Sequence, residues 1–303
     1  MCANKRDRTL TAFEGPCFNS SSLRFDPSLM TDWLDNLRAE NDRQRSTDNP
    51  EKICSFKHCV EYIFKASERF RLPDEAKYRA VGIFDRFLVQ HIRDLYKHVR
   101  ESNSKTKMHD WKLIVGRVKK QIPLRIVSCC QLASKLTAHY RVVSPKRAFA
   151  YLKELGSKYS INSILQSELR VLKTLDYNIS LPCPSLYMEA LLELIGRDVT
   201  DLQVSIIHVT SLKILDLIFL NFDEIYTELE NAASGVSRQR KYLRNDGMLQ
   251  AAGAIAASVY IMDQTKTDKI IELLSGQSGE PADGILDIAT VILHQLYREN
   301  KKK

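Results

Sequence analysis

The chain has 303 residues, enough for two domains of ordinary size, and 44% of them are hydrophobic, enough to fill real cores. Its formal net charge of +8 permits an acidic partner without demanding one. Its 7 cysteines are odd in number and form no C-x-x-C pair, which argues for reduced thiols over a disulfide framework; the N-terminus carries no secretory signal, and no apolar run is long enough for a membrane span.

Residues 1–50 are polar and read as a flexible N-terminal arm, with a short helix over Leu29–Leu37 anchored by Trp33. In Phe56–Phe70, Val60, Ile63, Phe64 and Ser67 recur at helical spacing. Pro73 and Asp74 open a second helix whose face is Ala80, Val81, Phe84, Phe87, Leu88 and His91. Arg93–Lys120 reads as a polar, basic connection, helical in its second half, where Trp111, Leu113, Ile114 and Val118 recur.

The stretch Gln121–Leu136, QIPLRIVSCCQLASKL, is apolar nearly all round, the mark of a buried hub helix. Ser144–Leu155 follows, closed by Gly156, and then Ile161–Leu175. Leu181-Pro182-Cys183-Pro184 is a hard break. Helices are then expected over Ser185–Ile195, closed by Gly196; over Asp201–Asn221 and on toward Tyr226; and over Gly247–Met262, Lys266–Leu274 and Asp283–Arg298. The small-residue run AAGAIAASVYI makes the third of these as buried as the first hub. No stretch alternates as strands do. The expected fold is all-α: two tandem five-helix bundles, the second more divergent, with an arm at 1–50, a first domain at 51–180 and a second at 181–303.

Three passages resemble the cyclin family: Ala80–Leu88, like A-V-x-x-x-D-R-F-L; Leu132-Ala133-Ser134-Lys135, like I-A-S-K; and Glu168–Tyr177, like E-x-x-V-L-x-x-L followed by an aromatic. Their order and approximate spacing agree. A divergent branch, the cyclin N-terminal-domain-containing proteins, is similar in LRIVSCCQLASKL, SELRVLKTLDYNISLPCP, YMEALLELIG and LDLIFL, and in the basic insert before the hub. That resemblance implies a regulator, not an enzyme, with no cofactor. It would work in the nucleus, on meiotic chromosomes, in crossover formation during prophase I. Its implied partners are a CDK2-like cyclin-dependent kinase and meiotic recombination proteins. Lys135 and Glu168 match the family's kinase-contacting Lys and Glu, and Leu136 stands where an aromatic is usual. The bland alternative is that Lys135 and Glu168 pair only with each other.

The departures also carry meaning. Ser55, Phe56, Lys57, His58 and Cys59 replace the family's M-R-A-I-L, and Tyr62 replaces its Trp, so the groove that recruits R-x-L substrates is not expected. Phe56 replaces the Arg that pairs with the buried Asp, here Asp85; Lys57 or Arg86 is expected to take over.

Other chemistry is thin. Cys129 and Cys130 lie about 100° apart on a helix and suit burial better than a metal. The seven His residues are scattered. The basic insert, with Lys105, Lys107, Arg117, Lys119 and Lys120, is either a solvated loop or a patch for acidic protein or weak DNA contact, Trp111 serving as anchor. A scaffold or nucleic-acid adaptor that activates no kinase is the competing reading.

Overall fold

A computed structural model describes residues 16–19, 27–45, 56–102, 106–137, 142–232 and 245–301. Every regular element among them is helical. No single described helix is long and apolar enough to cross a membrane.

The first helical set comprises α2 (Phe56–Phe70), α3 (Asp74–Glu101), α4 (Lys107–Thr137), α5 (Pro145–Glu154) and α6 (Ile161–Thr174). In α2, Val60, Ile63, Ala66 and Phe70 form one buried stripe. Its end is enforced by Arg71, held at φ 53°, while the Leu72 amide returns to the Ser67 carbonyl at 2.9 Å. Ser144 and Ser160 cap α5 and α6, accepting from the amides of Arg147 and Ser163 at 3.3 and 3.1 Å. Gly156, at φ 74°, closes the segment after α5.

All four companions pack on α4. From Leu124 to Ser134 every residue but Arg125 is buried, so the hub reading holds. The small Ser128 and Ser134 let neighbours approach and satisfy their own hydroxyls inside: Ser128 donates to the Leu124 carbonyl at 3.0 Å and to the Ser167 hydroxyl at 2.8 Å. Cys129 and Cys130 are fully buried, and burial pushes the Cys130 thiol up to about 12.

The expected connection at 93–120 is not a loop. α3 runs 28 residues, to Glu101, and α4 runs 31, from Lys107, so the described part of the insert is helical on both sides, its two helices packed together. Ile92 and Val99 stay buried, while the charges that mark the segment as polar point outward. Between the two helices, Trp111 meets Tyr96 edge-on at 5.3 Å, and Lys107 donates to the Arg100 carbonyl at 2.6 Å, satisfying the end of α3.

The second set comprises α7 (Pro184–Asp198), α8 (Val204–Leu220), α9 (Phe222–Ala232), α10 (Gly247–Met262), α11 (Thr267–Ser278) and α12 (Ala282–Lys301). α7, α8, α11 and α12 all pack on α10. Two boundaries differ from expectation. Gly196 does not stop α7; a side chain there would collide with Asn19 and Val204, so glycine serves close approach. The helix expected to run on toward Tyr226 breaks at Asn221, bending 84° into α9, whose Phe222, Ile225 and Leu229 are buried.

The first 50 residues are not wholly an arm. α1 (Pro27–Arg45) has 19 residues and buries Met30, Leu34, Leu37 and Asn41 on one face, against α10 and α11. Trp33 is exposed, so it is not the anchor. Polar fittings hold α1 instead. Arg38 donates to the Gly276 and Gln277 carbonyls at the end of α11, each at 2.8 Å. Asn41 bridges Asp246 at 3.0 Å and the Met248 amide at 3.1 Å, joining α1 to the start of α10.

Candidate functional site

Lys135 sits in the last turn of α4 and Glu168 in the middle of α6, and the two side chains meet in a direct ion pair. Their positions follow from packing. Ser128 and Ser167, small residues facing each other, bring the two helices together; Glu168 directly follows Ser167, and Lys135, two turns beyond Ser128, reaches it with its long side chain. The pair is lopsided: Lys135 is 46% exposed and Glu168 only 8%. The carboxylate is thus fixed by the fold, while the ammonium keeps donors free for another acceptor. Leu136 is half-buried against the core, so it offers a partner only its edge.

Beside this pair, α6 shows an apolar stripe absent from the sequence-based site. Ile161, Leu165 and Leu169, four residues apart, are 40%, 43% and 37% exposed. A separate face of α6, about 110° round, carries Ile164 and Val171 and is already buried in the core. The signal was available, because a helix with apolar residues on two faces has one face too many for a single core.

The basic candidates do not converge. Lys105 lies outside the described residues, and Lys107 is spent on the end of α3. Arg117, Lys119 and Lys120 are exposed along α4, remote from its Lys135 end. Trp111 packs on Tyr96 and is not a bare anchor. Of the two substitutes expected to serve Asp85, Lys57 is engaged elsewhere, and Arg86 feels the Asp85 charge. Lys57 donates to Asn221 at 3.3 Å and lies 3.6 Å from Glu224, tying α2 to the second set. Arg86 donates to the Asn178 carbonyl at 2.8 Å; burial lowers its pKa to about 10, and the Asp85 charge opposes that fall. Asp85 itself is half-buried, not fully buried. Among the described residues no group of three or more His, Cys, Asp or Glu is arranged to hold a metal.

An ion pair flanked by an exposed apolar stripe thus stands on the outside of the helical hub. Comparison with known proteins agrees with that architecture. The family described as cyclin, N-terminal domain, matches residues 42–180. Cyclin N-terminal domain-containing protein 1 of Mus musculus is 33% identical over 243 residues, covering 77% of this chain and 73% of that protein. Its Homo sapiens counterpart is 31% identical over 243 residues, covering 77% and 74%. Among solved structures, a viral cyclin from herpesvirus saimiri superposes with a TM-score of 0.56 over 87% of this chain and 96% of that one; at 11% identity this is a likeness of fold alone. The chain therefore belongs to the family of cyclin N-terminal domain-containing protein 1 and carries the cyclin fold.

Proposed function

We propose that this chain is a non-catalytic, cyclin-like regulator that docks a cyclin-dependent kinase, and that it promotes crossover maturation in the nucleus during meiotic prophase I together with recombination proteins. The observation that carries kinase docking is the Lys135–Glu168 pair beside the exposed Ile161, Leu165 and Leu169. A kinase becomes fast only when its mobile C-helix assembles the catalytic Lys–Glu pair. A rigid apolar face can hold that helix by burial, while Lys135 sets its register through a charge-assisted bond to a backbone carbonyl. Cyclins as a family are regulators, and the meiotic assignment rests on the sequence resemblance. We read the α10-centred set as a second, divergent cyclin fold; the overlap with the viral cyclin across 87% of the chain supports that reading.

The test is the double exchange Lys135→Glu with Glu168→Lys. It keeps an internal ion pair but inverts the charge offered to a partner. Kinase pull-down is expected to be lost with helical circular dichroism unchanged. Undiminished pull-down removes docking through this face.

A further inference from the structure

On the flank of the first set, between the middle of α4 and the start of α6, lies a cleft of about 340 Å³. It is lined by Arg125, Arg170, Gln121, Asn162, Ser163 and Ser167, with no carboxylate in its wall. Arg125 donates to the Ser167 hydroxyl at 2.7 Å and to the Gln121 side-chain oxygen at 3.0 Å. Its guanidinium lies 5.7 Å over the Phe87 ring, and its Nε is buried without an acceptor. Arg170 is exposed and has no hydrogen-bond or ion-pair partner among the described residues.

Two guanidiniums therefore share one concavity with only neutral acceptors around them. Burial and the Arg170 charge both hold Arg125 below its ordinary pKa. Burial and the same two arginines hold the neighbouring His91 imidazole down to about 4, against the opposing pull of Asp94. Half-buried positive charge without a counter-charge costs folding free energy. The larger cleft of about 650 Å³ at the junction of the two sets is different: Arg79 and Arg86 line it, but so do Glu40, Asp85 and Asp176.

We propose that the Arg125–Arg170 cleft binds a single phosphate group carried on a serine or threonine of a protein partner. A phosphomonoester brings nearly two negative charges and three strong acceptor oxygens, matching two planar guanidinium forks. A nucleic-acid phosphodiester brings one charge, spaced along a backbone that cannot follow Arg125 into the wall. Arg125 lies ten residues, about 15 Å along α4, from Lys135, and Arg170 points about 200° round α6 from Glu168. The cleft stands whether or not a kinase docks there.

The test uses the full chain and reads the arginine Nε–Hε resonances by NMR. The probes are a pentapeptide of glycine and leucine around a central phosphoserine, its unphosphorylated form, and a short DNA duplex, each taken to millimolar concentration. The phosphopeptide is expected to shift Arg125 and Arg170 saturably, and the unphosphorylated form to leave them in place. Arg170→Gln, at an exposed position, is expected to weaken the phosphopeptide about tenfold with unchanged circular dichroism. Arg125→Lys, which keeps the charge but loses the fork, is expected to weaken it as well. Equal shifts by the two peptides, no shift by either, or undiminished binding to Arg170→Gln overturns the proposal. Tighter binding of the duplex through the same two arginines overturns it in favour of nucleic acid. Kinase pull-down by Arg170→Gln is expected to be normal, so loss of pull-down only in the Lys135–Glu168 exchange keeps the two surfaces distinct.

Discussion

Tyr78 on α3 donates its hydroxyl to Asp216 on α8 at 2.8 Å, a bond that crosses from the first helical set to the second. The Leu212 carbonyl accepts at the same distance, Lys77 lies 2.7 Å from Asp216, and the Tyr78 ring stacks on Phe219 at 5.5 Å. Burial and the Asp216 carboxylate push the Tyr78 hydroxyl far above its usual pKa, so it remains a donor at every pH the fold survives. Tyr78→Phe keeps the stacked ring and removes only the donor. The expected loss is about 1–3 kcal/mol, because a hydrogen bond to a charged, half-buried carboxylate is removed. Urea unfolding should show a lower midpoint with an unchanged slope; an unchanged midpoint would show that this bond contributes nothing to the junction.

A pH dependence follows from the docking of α1. One guanidinium, Arg45, serves two carboxylates, lying 3.2 Å from Asp246 and 2.7 Å from Glu280. Burial, then the Asp246 charge, raises Glu280 from 4.5 to about 7, and burial raises Asp246 as well. The folded state therefore holds a proton that the unfolded state has released, so this contribution is full below pH about 4.5 and lost as pH rises toward 7. The loss is at most about 3 kcal/mol. Glu280→Gln should flatten this part of the stability–pH curve and raise the melting temperature at pH 8. A wild-type curve already flat between those limits would contradict the raised pKa.

The parts legible in the chain were those governed by local pattern. The buried circumference of Gln121–Leu136 and the glycine stop at 156 each depend on neighbours a turn away. The second half of 93–120 is helical as its apolar spacing implies, whereas the helical first half, up to Glu101, is hidden because outward charges outnumber the buried Val99. The docking of α1 was invisible because Asn41 finds its partner, Asp246, 205 residues later. Lys135 and Glu168 came from resemblance alone; the packing of α4 on α6, in which Ser128 and Arg125 meet Ser167, is what brings them together. Arg125 and Arg170 carry no motif; what makes them a pair is a cleft wall without a carboxylate.

Gly253 tests how tightly the second hub is closed. A Cβ at this position of α10 would lie 2.4 Å from Cγ2 of Ile288 on α12. Ile288 is almost fully buried, so it has nowhere to retreat. Alanine would normally favour a helix over glycine by about 1 kcal/mol. Here overpacking should win, with a net loss of about 1–3 kcal/mol for Gly253→Ala. In an Ile288→Ala background, which removes Cγ2, the same Gly253→Ala change should cost less than it does alone. Stabilisation by Gly253→Ala alone would mean that α10 and α12 are not in close contact.

The exposed basic residues of the insert make a narrower prediction about DNA. On α4, Arg117 and Lys120 are three residues apart and share a face, whereas Lys119 lies about 200° round from Arg117. A single duplex can therefore engage the first two and not the third. Binding should be weak, with a slope of log affinity against log salt near −2, since each neutralised phosphate contributes about −0.9. Anisotropy over a salt series should show that slope abolished in Arg117→Gln with Lys120→Gln and untouched in Lys119→Gln. Equal effects at all three positions would mean that DNA wraps the helix or meets the charges non-specifically. A slope steeper than about −4 would move the main nucleic-acid contact away from this helix, because two cations on one face cannot release that many counterions.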